Sequence, residues 1–311
     1  MLAIVCPGQG SQTPGMLQPW LEFDQAADHL SRYAEFSGTD LIAHGTQADE
    51  QTIRDTAVAQ PLLAAAALIS AGALGLTPDK LSAHGGSVVI AGHSVGELPA
   101  AALAGVLSDQ SAMELIGVRG RAMAEAAAAE PTGMAAVLGG AEEEVLEAIR
   151  EAGLSPANVN GAGQIVAAGA QAALGELAGN PPAKARVIPL KVAGAFHTQY
   201  MATAQQKLAE AAAAVTPAEP VAALLSNRDG AQVSAGSEVL ERIVGQITRP
   251  VRWDACMETM RQAGVTGILE LLPGGTLTGL AKRGLKGTET LAVKTPADLE
   301  AAHEFIAEHT A

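Results

Sequence analysis

A serine between two glycines is the first feature of this sequence that could do chemistry. The stretch Gly92-His93-Ser94-Val95-Gly96 follows an apolar run that ends at Ala91, and an alanine-rich segment begins at Glu97. A G-x-S-x-G motif alone is weak evidence, but a strand before it and a helix after it are the context of a nucleophilic serine. The N–H groups at the start of that helix would suit a developing oxyanion. We therefore predict a nucleophile at Ser94, and an ordinary turn serine is the alternative.

A serine nucleophile needs a base, and His197 is the candidate among seven histidines. It follows a predicted strand over residues 186–192 and begins a predicted helix, which is a loop position where catalytic groups gather. A structural role for His197 is the alternative. His93 is adjacent to Ser94, so we expect its side chain to diverge from the turn; a place in the pocket wall, rather than a role as base, is its functional alternative. The other five histidines, including His309, are predicted to lie on the surface.

Arg119 is predicted to be buried. In the helix predicted over residues 109–129, the apolar residues share one face by their 3.6-residue period, and Arg119 lies on that face. Arg121 lies about 200° away around the helix and is predicted to be solvated. A buried guanidinium needs an anionic partner. That partner is either a structural carboxylate or the carboxylate of a substrate.

The loop after the first strand is a further candidate. Residues 7–12, Pro-Gly-Gln-Gly-Ser-Gln, are rich in glycine but lack a Walker lysine and the G-x-G-x-x-G spacing of a phosphate-binding loop. Such a loop could donate a backbone N–H to an oxyanion hole. A tight loop without a catalytic role is the alternative.

Alternating strands and helices must position these residues. At both ends of the chain the alternation predicts one mainly parallel sheet with helices on both faces, which is an α/β fold. Between these ends the order changes to β-α-β-β-α-β over about sixty residues, which predicts a small inserted subdomain. We predict a large domain from residues 1–126 and 197–311, and a small domain from residues 127–196.

Composition excludes several classes of protein. The net charge of −14 would repel a phosphate backbone, so a nucleic-acid partner is not expected. Cys6 and Cys256 have no disulfide-framework or zinc-site spacing, and no metal is expected. Residues 58–74 are apolar, but they contain Gln60 and Pro61 and lack flanking anchors, which favours a buried core helix over a membrane span. We therefore expect a cytoplasmic protein without a membrane partner.

Seven segments together resemble the malonyl-CoA:acyl carrier protein transacylase family of fatty-acid and polyketide synthesis. They cover essentially the whole chain and occur in the family's order. The segments are PGQGSQ (7–12), GHSVGE (92–97), RGRAM (119–123), NVNGAGQIVAAG (158–169), GAFH (194–197), QITRPVRW (246–253) and PGGTLTGLAKR (273–283). The resemblance implies an α/β-hydrolase-like large domain with an inserted ferredoxin-like subdomain.

The resemblance also implies roles for individual residues. Ser94 would be the nucleophile and His197 the base. The backbone N–H groups of Gln9 and Val95 would form the oxyanion hole, and Arg119 would bind the malonyl carboxylate.

Further positions follow from the same resemblance. The main-chain carbonyl of Gln246 would accept a hydrogen bond from the histidine ring in place of a triad carboxylate. Asn160, Phe196 and His93 would line the substrate pocket, and Phe196 matches the form found in malonyl-selective relatives. One departure is Thr248-Arg249-Pro250, where relatives often carry an asparagine before the proline.

The implied reaction is a ping-pong transfer with two partners, malonyl-CoA and holo-acyl carrier protein. No metal or redox cofactor would be required. The carrier protein is acidic in this family, so an acidic chain needs a local basic patch for docking. We predict that this patch includes Lys282, Arg283 and Lys286, with Arg249 as a further candidate. Ordinary solvated cations at a helix end are the alternative.

Two other functions stay open at this point. A serine hydrolase of the α/β type would use water as the acceptor, but it needs an acidic residue between Ser94 and His197 in sequence. A non-enzymatic assembly subunit would keep the fold as a docking surface. The sequence leaves the oligomeric state and the choice between fatty-acid and polyketide synthesis undecided.

Overall fold

The computed structural model describes residues 1–23 and 25–311. The strands are β1 (Leu2–Cys6), β2 (Val88–Gly92), β3 (Thr132–Gly139), β4 (Ser155–Gly161), β5 (Gln164–Ala170), β6 (Ala185–Pro189), β7 (Ala223–Leu225), β8 (Gln232–Val233), β9 (Val251–Arg252), β10 (Gly267–Glu270) and β11 (Glu289–Ala292). The helices are α1 (Ala26–Ser37), α2 (Leu41–Thr46), α3 (Thr56–Ala73), α4 (Pro78–Ala83), α5 (Glu97–Leu103), α6 (Asp109–Ala129), α7 (Glu142–Glu151), α8 (Gln171–Gly179), α9 (Ala202–Ala212), α10 (Gly236–Gln246), α11 (Trp253–Gln262), α12 (Thr276–Gly284) and α13 (Leu299–Thr310).

The large sheet has the order β11-β10-β1-β2-β7-β8, and all its pairs are parallel except β7 with β8. Every residue of β1 and β2 is buried, as expected for parallel strands that helices cover on both faces. The two strands pair from Leu2 with Val88 to Cys6 with Gly92. Their carboxyl ends therefore meet at one edge, and the loop at residues 7–12 lies beside the Ser94 turn.

The small sheet confirms the predicted β-α-β-β-α-β unit. Its strand order is β6-β3-β5-β4, with antiparallel pairing throughout, and α7 and α8 lie between the strands in sequence. The structure adds a fifth strand, because β9 pairs in parallel with β4 at the sheet edge. This addition brings the segment after Gln246 beside Asn158 and Val159. The boundaries of the two domains stay a prediction.

Helix α3 is the core helix that the sequence predicts. It is long and apolar enough to cross a membrane, but most of it is buried inside the protein. It begins two residues earlier than predicted, because the Asp55 side chain accepts a hydrogen bond from the backbone N–H of Ala57. Gly120 of α6 allows α3 to approach closely, since a Cβ there would lie 3.0 Å from the Thr56 carbonyl oxygen.

The prediction of a surface position for His309 is wrong. The ring packs against Phe305 and is 6% exposed. The ring fits there because Gly267 has no side chain: a Cβ at that position would lie 2.3 Å from the His309 Cδ2 atom. A glycine in a neighbouring strand gives no local indication that a distant histidine will pack on it.

Candidate active site

Ser94 lies on a sharp turn between β2 and α5. Its φ is 55°, and residues Ser94–Gly96 form one turn of 3₁₀ helix before α5 begins. Both flanking glycines are required by space. A Cβ on Gly92 would lie 2.0 Å from the Gly96 carbonyl carbon, and a Cβ on Gly96 would lie 2.3 Å from the Cys6 carbonyl oxygen. The turn is therefore held tightly against the end of β1.

His197 reaches Ser94 from the loop between β6 and α9. The distance from Ser94 Oγ to His197 Nε2 is 2.7 Å, and His197 Nδ1 lies 2.9 Å from the Gln246 carbonyl oxygen. With Nδ1–H donating to that carbonyl, Nε2 is free to accept the hydroxyl proton. Burial, and then the nearby Arg119 charge, lower the pKa of His197 to about 3. The ring is therefore neutral at physiological pH.

The segment around His197 differs from its predicted secondary structure. The strand expected over residues 186–192 ends at Pro189, and the helix expected from residue 198 begins at Ala202 after a short 3₁₀ turn. His197 has a φ of 60°, which neither a strand nor a helix would provide. The histidine is thus placed by a longer loop than the sequence pattern indicates.

Arg119 lies on the buried face of α6, as its period predicts, and is 1% exposed. Its Nη1 donates to Gln60 Oε1 at 2.6 Å, and its Nη2 donates to Gln246 Oε1 at 2.8 Å. Nη2 also lies 3.5 Å from Ser94 Oγ. Across the described residues, no carboxylate is within ion-pair distance of this guanidinium. Its direct partners are therefore neutral amide oxygens.

Arg121 confirms the other half of the helix prediction, since it is exposed. Its Nη1 donates to the Ser37 carbonyl oxygen at 2.7 Å, at the last residue of α1. This bond satisfies a helix-end carbonyl and is separate from the Ser94 site.

Asn227 is a residue of the site that the sequence analysis missed. It follows β7, and its Oδ1 accepts the Ser94 backbone N–H at 2.8 Å while its Nδ2 donates to the Gly92 carbonyl at 2.7 Å. The completely buried amide thus ties the turn to the strand before it. A polar residue directly after an apolar strand, at the edge that carries Ser94, was the available indication.

Two backbone N–H groups were expected to form an oxyanion hole. In the Ser94 turn, Gly96 N donates to the His93 carbonyl, and the Ser94 N–H is taken by Asn227. The Val95 N–H lies between these two amides. Gln9 lies in the loop beside the turn. The preceding residue, Gly8, is close enough to the turn that a Cβ on it would be 2.7 Å from the His93 carbonyl oxygen. The oxyanion role of both amides stays a prediction.

A cavity of about 520 Å³ opens in front of Ser94 and His197. The expected pocket residues Gln9, His93, Asn160 and Phe196 line it. Arg119 does not line it directly but lies behind two residues that do, Gln60 and Ser94. The cavity is in the size range of small-molecule sites.

His93 forms part of the cavity wall, as predicted. Its Nε2 lies 2.9 Å from Asn160 Oδ1, and its ring meets Trp253 edge-on with centroids 5.6 Å apart. Burial lowers the pKa of His93. The ring is engaged with Asn160 and Trp253, whereas Ser94 Oγ is engaged by His197.

Residues 3–307 match the family described as the acyl transferase domain. The chain belongs to this acyltransferase family. Enzymes of this kind normally need no cofactor beyond their substrates.

Similar acyltransferases are known in mycobacteria. The chain is 51% identical over 300 residues to the malonyl CoA-acyl carrier protein transacylase of Mycobacterium tuberculosis, covering 96% of this chain and 98% of the relative. The crystal structure of MCAT from that organism superposes with a TM-score of 0.92, at 51% identity over 97% of this chain and 99% of the other. A further similar structure is a type II PKS acyl-carrier protein in complex with its malonyl-transacylase, with a TM-score of 0.88, 31% identity and coverage of 97% and 99%.

The hydrolase alternative requires a carboxylate at the second ring nitrogen of His197. In this acyltransferase the Gln246 main-chain carbonyl occupies that position. The geometry is thus the one that the family resemblance implies.

The basic residues expected to dock a partner lie near the cavity. Lys282 and Arg283 are on the last turn of α12, and Lys286 follows the helix; all three are exposed. The same helix begins with Thr276 and Leu277, which line the cavity. Arg249 is also exposed. The docking role of these four residues stays a prediction.

Proposed function

We propose that this acyltransferase moves the malonyl group from malonyl-CoA to the phosphopantetheine thiol of an acyl carrier protein, through an ester on Ser94. One observation carries the proposal: the Ser94 hydroxyl is hydrogen-bonded to a neutral histidine and lies 3.5 Å from a buried guanidinium. The names of the mycobacterial relative and of the carrier-protein complex support the same substrates.

In the first half-reaction, His197 Nε2 takes the hydroxyl proton while Ser94 Oγ attacks the thioester carbonyl carbon. The negative charge that develops on the carbonyl oxygen is stabilised by the backbone N–H groups of Gln9 and Val95, each worth about 3 kcal/mol in comparable sites. The carbon–sulfur bond then breaks, and His197 returns the proton to the CoA sulfur. A malonyl ester of Ser94 and free CoA result.

In the second half-reaction, the carrier protein's thiol enters the same position. His197 takes the thiol proton, and the sulfur attacks the ester carbonyl. The bond to Ser94 Oγ breaks, and His197 returns the proton to that oxygen. The enzyme is regenerated, and no group other than the acyl group is transferred.

Arg119 supplies the selection for malonyl. A guanidinium can bind a carboxylate through two parallel N–H···O bonds, and the free malonyl carboxylate lies a few bonds from the atom that Ser94 attacks. Gln60 and Gln246 each use one N–H of the guanidinium, which carries five, so donors remain for a substrate. Because Arg119 lies behind Gln60, binding requires the Gln60 amide to make room.

Further residues shape the pocket, orient His197 and bind the carrier protein. Asn160, Phe196 and His93 shape the malonyl pocket, and the Gln246 carbonyl orients His197. The reaction uses no metal or redox cofactor, since the phosphopantetheine belongs to the carrier protein. Lys282, Arg283 and Lys286 form the docking patch. A cytoplasmic location is part of the same proposal.

The test is mass spectrometry of the intact protein after incubation with malonyl-CoA. We expect one malonyl adduct, mapped to the Ser94 peptide, which is discharged by holo-carrier protein but not by the apo form. Ser94→Ala should form no adduct, and Ser82→Ala, at an exposed serine, should behave as the wild type. An adduct on Ser94→Ala would contradict the proposal, and so would CoA release that is equally fast with and without carrier protein.

A further inference from the structure

Glu97 is a buried carboxylate to which the reaction steps above assign no role. It is the first residue of α5, three positions after Ser94, and its side chain is only 6% exposed. Burying a carboxylate is costly unless its oxygens accept hydrogen bonds. The partners of those two oxygens therefore indicate why a charge is placed here.

Each oxygen of Glu97 holds a different part of the site. Oε1 accepts the backbone N–H of Asn227, and Oε2 accepts the side-chain amide of Gln246. Asn227 in turn fixes the Ser94 turn through its bonds to Ser94 and Gly92. Gln246 supplies the carbonyl for His197, and its side chain also contacts Ser94 and Arg119.

We propose that Glu97 is a positioning residue for acyl transfer, acting through Asn227 and Gln246 to align Ser94, His197 and Arg119. This inference rests on the proposed function for the identity of the acyl group. It does not depend on that identity for the alignment of Ser94 with His197.

The direction of the hydrogen bonds explains why a carboxylate is needed. A carboxylate only accepts, so it can face two N–H donors at once. With its NH₂ directed at Glu97 and at the Ser94 carbonyl, the Gln246 amide must present Oε1 to Arg119. Glu97 thereby fixes which end of the Gln246 amide meets the guanidinium.

The same arrangement supplies the missing counter-charge for Arg119. The Gln246 amide lies between the carboxylate of Glu97 and the guanidinium, donating to one and accepting from the other. The negative charge of Glu97 opposes the lowering of the Arg119 pKa that burial causes. The buried arginine is thus linked to the Glu97 carboxylate through the Gln246 amide, and the guanidinium keeps free donors for a substrate.

Loss of the charge on Glu97 should misalign the site. In Glu97→Gln the side-chain NH₂ must face either the Asn227 N–H or the Gln246 NH₂, so that two donors oppose each other. In the protonated acid, one of the two oxygens becomes a weaker acceptor for its N–H donor. If the Gln246 amide turns over to relieve this, its NH₂ meets Arg119. A misplacement of reacting groups by about 1 Å can reduce a rate by about 100-fold.

Protonation of Glu97 should have the same effect as its replacement by glutamine. Burial raises the pKa of Glu97 to about 7, opposed by the Asn227 and Gln246 bonds and by the charges of Arg119 and Arg242. The other titratable groups around it are the Cys256 thiol and, across Gln246, His197. Burial raises the pKa of Cys256 and lowers that of His197, so neither changes charge near neutral pH.

The test compares Glu97→Gln with the wild type and with Glu114→Gln, a control at an exposed glutamate of α6. A fluorophosphonate probe, which reacts with a base-activated serine whatever the natural acyl group, reports on Ser94 and His197. The rate constant is measured per reactive site, after titration of the reactive fraction, so that partial unfolding is separated from misalignment. Malonyl loading from malonyl-CoA is measured in parallel.

We expect Glu97→Gln to react with the probe about 10- to 100-fold more slowly per site, and to load malonyl more slowly still, while Glu114→Gln matches the wild type. The wild-type rate should fall as the pH decreases through about 7, and Glu97→Gln should lack that step. A wild-type rate per site in Glu97→Gln, even with a lower melting temperature, would overturn the proposal, as would persistence of the step.

Where Glu97→Gln does not fold, Glu97→Asp is measured in the same way. It keeps the charge but shortens the side chain by one carbon, so it cannot reach Asn227 and Gln246 together. A slower probe reaction is expected, and a wild-type rate per site would overturn the proposal. Absence of malonyl loading in the wild type itself, with normal probe reactivity, would contradict the proposed function and leave the alignment role supported.

Discussion

Ser94 and His197 are 103 positions apart in sequence, yet Ser94 Oγ and His197 Nε2 are 2.7 Å apart. Both residues have left-handed backbones, with φ of 55° and 60°. Such conformations cost about 1–3 kcal/mol each in a residue other than glycine and persist where the surroundings impose them. Here Asn227 holds the serine turn, and the Gln246 carbonyl holds the histidine ring. Rigid support from both sides therefore keeps the two reacting atoms in contact.

The buried neutral state of His197 predicts a pH effect on stability. The unfolded chain binds a proton at this ring near pH 6.5, whereas the folded chain does so only near pH 3. The contribution of His197 is therefore complete above pH 6.5 and is lost as the pH falls toward 3. Between pH 8 and pH 5 the wild type should lose about 2 kcal/mol more unfolding free energy than His197→Gln.

Urea denaturation at the two pH values measures this difference. His303→Gln, at an exposed position on α13, is the control and should follow the wild type. Equal pH dependence in the wild type and His197→Gln would show that the folded protein accepts a proton on His197 near its ordinary pKa.

Alanine substitutions at Gly96 and Gly175 should have opposite effects on stability, because Gly96 lies in a crowded turn and Gly175 has open space around it. Gly96→Ala should destabilise the protein by about 1–3 kcal/mol or more, because its Cβ would lie 2.3 Å from the Cys6 carbonyl oxygen. Gly175→Ala, in the middle of α8 with nothing within 4 Å, should stabilise it by about 0.5–1 kcal/mol. Thermal unfolding of both variants checks the pair. An unchanged melting temperature in Gly96→Ala would mean that the Ser94 turn is not tightly packed, and a lower one in Gly175→Ala would mean that α8 is not open at that position.

Local features of the sequence were sufficient for the fold class and the Ser94 turn. The strand, the two glycines and the following helix are contiguous, and the burial of Arg119 follows from the period of a single helix. The small subdomain was predictable because its elements are consecutive. Identification of the reacting pair drew on the family resemblance, since nothing in the residues near His197 shows which serine it will meet.

The supporting contacts could not be predicted in this way. Asn227 lies in the loop after β7, and the side chains of Glu97, Gln60 and Gln246 lie on three different helices. Their bonds exist only after the sheet has formed. Strand β9 pairs with β4, which lies about ninety residues earlier in the sequence. A two-residue strand is too short to show a recognisable hydrophobic alternation. The predicted bounds of β6 and α9 differ from the observed ones, because a loop residue with positive φ does not alter the hydrophobic periodicity from which the bounds were predicted.

The proposed docking patch predicts a defect in only one half-reaction. Lys282→Glu combined with Lys286→Glu should raise the KM for the acidic carrier protein about tenfold, because complementary charge steers association. Malonyl loading from malonyl-CoA alone should be unchanged. Lys80→Glu is the control, since this exposed lysine precedes β2 and therefore lies toward the sheet edge opposite Ser94. If both half-reactions slow together, the patch serves folding or CoA binding instead.

Arg119 offers the most direct test of malonyl transfer, by acyl-enzyme formation on Ser94 with malonyl-CoA and acetyl-CoA side by side. Arg119→Ala should slow malonyl loading by about 100-fold or more, since it removes a buried charge that pairs with the carboxylate. Acetyl loading, which in the wild type brings no carboxylate into contact with the guanidinium, should persist or rise. Arg119→Lys should also load malonyl poorly, because an ammonium lacks the paired donors, and Arg121→Ala should resemble the wild type. Equal loss of both acyl groups in Arg119→Ala would contradict the account, because Arg119 would then support the site without selecting its substrate.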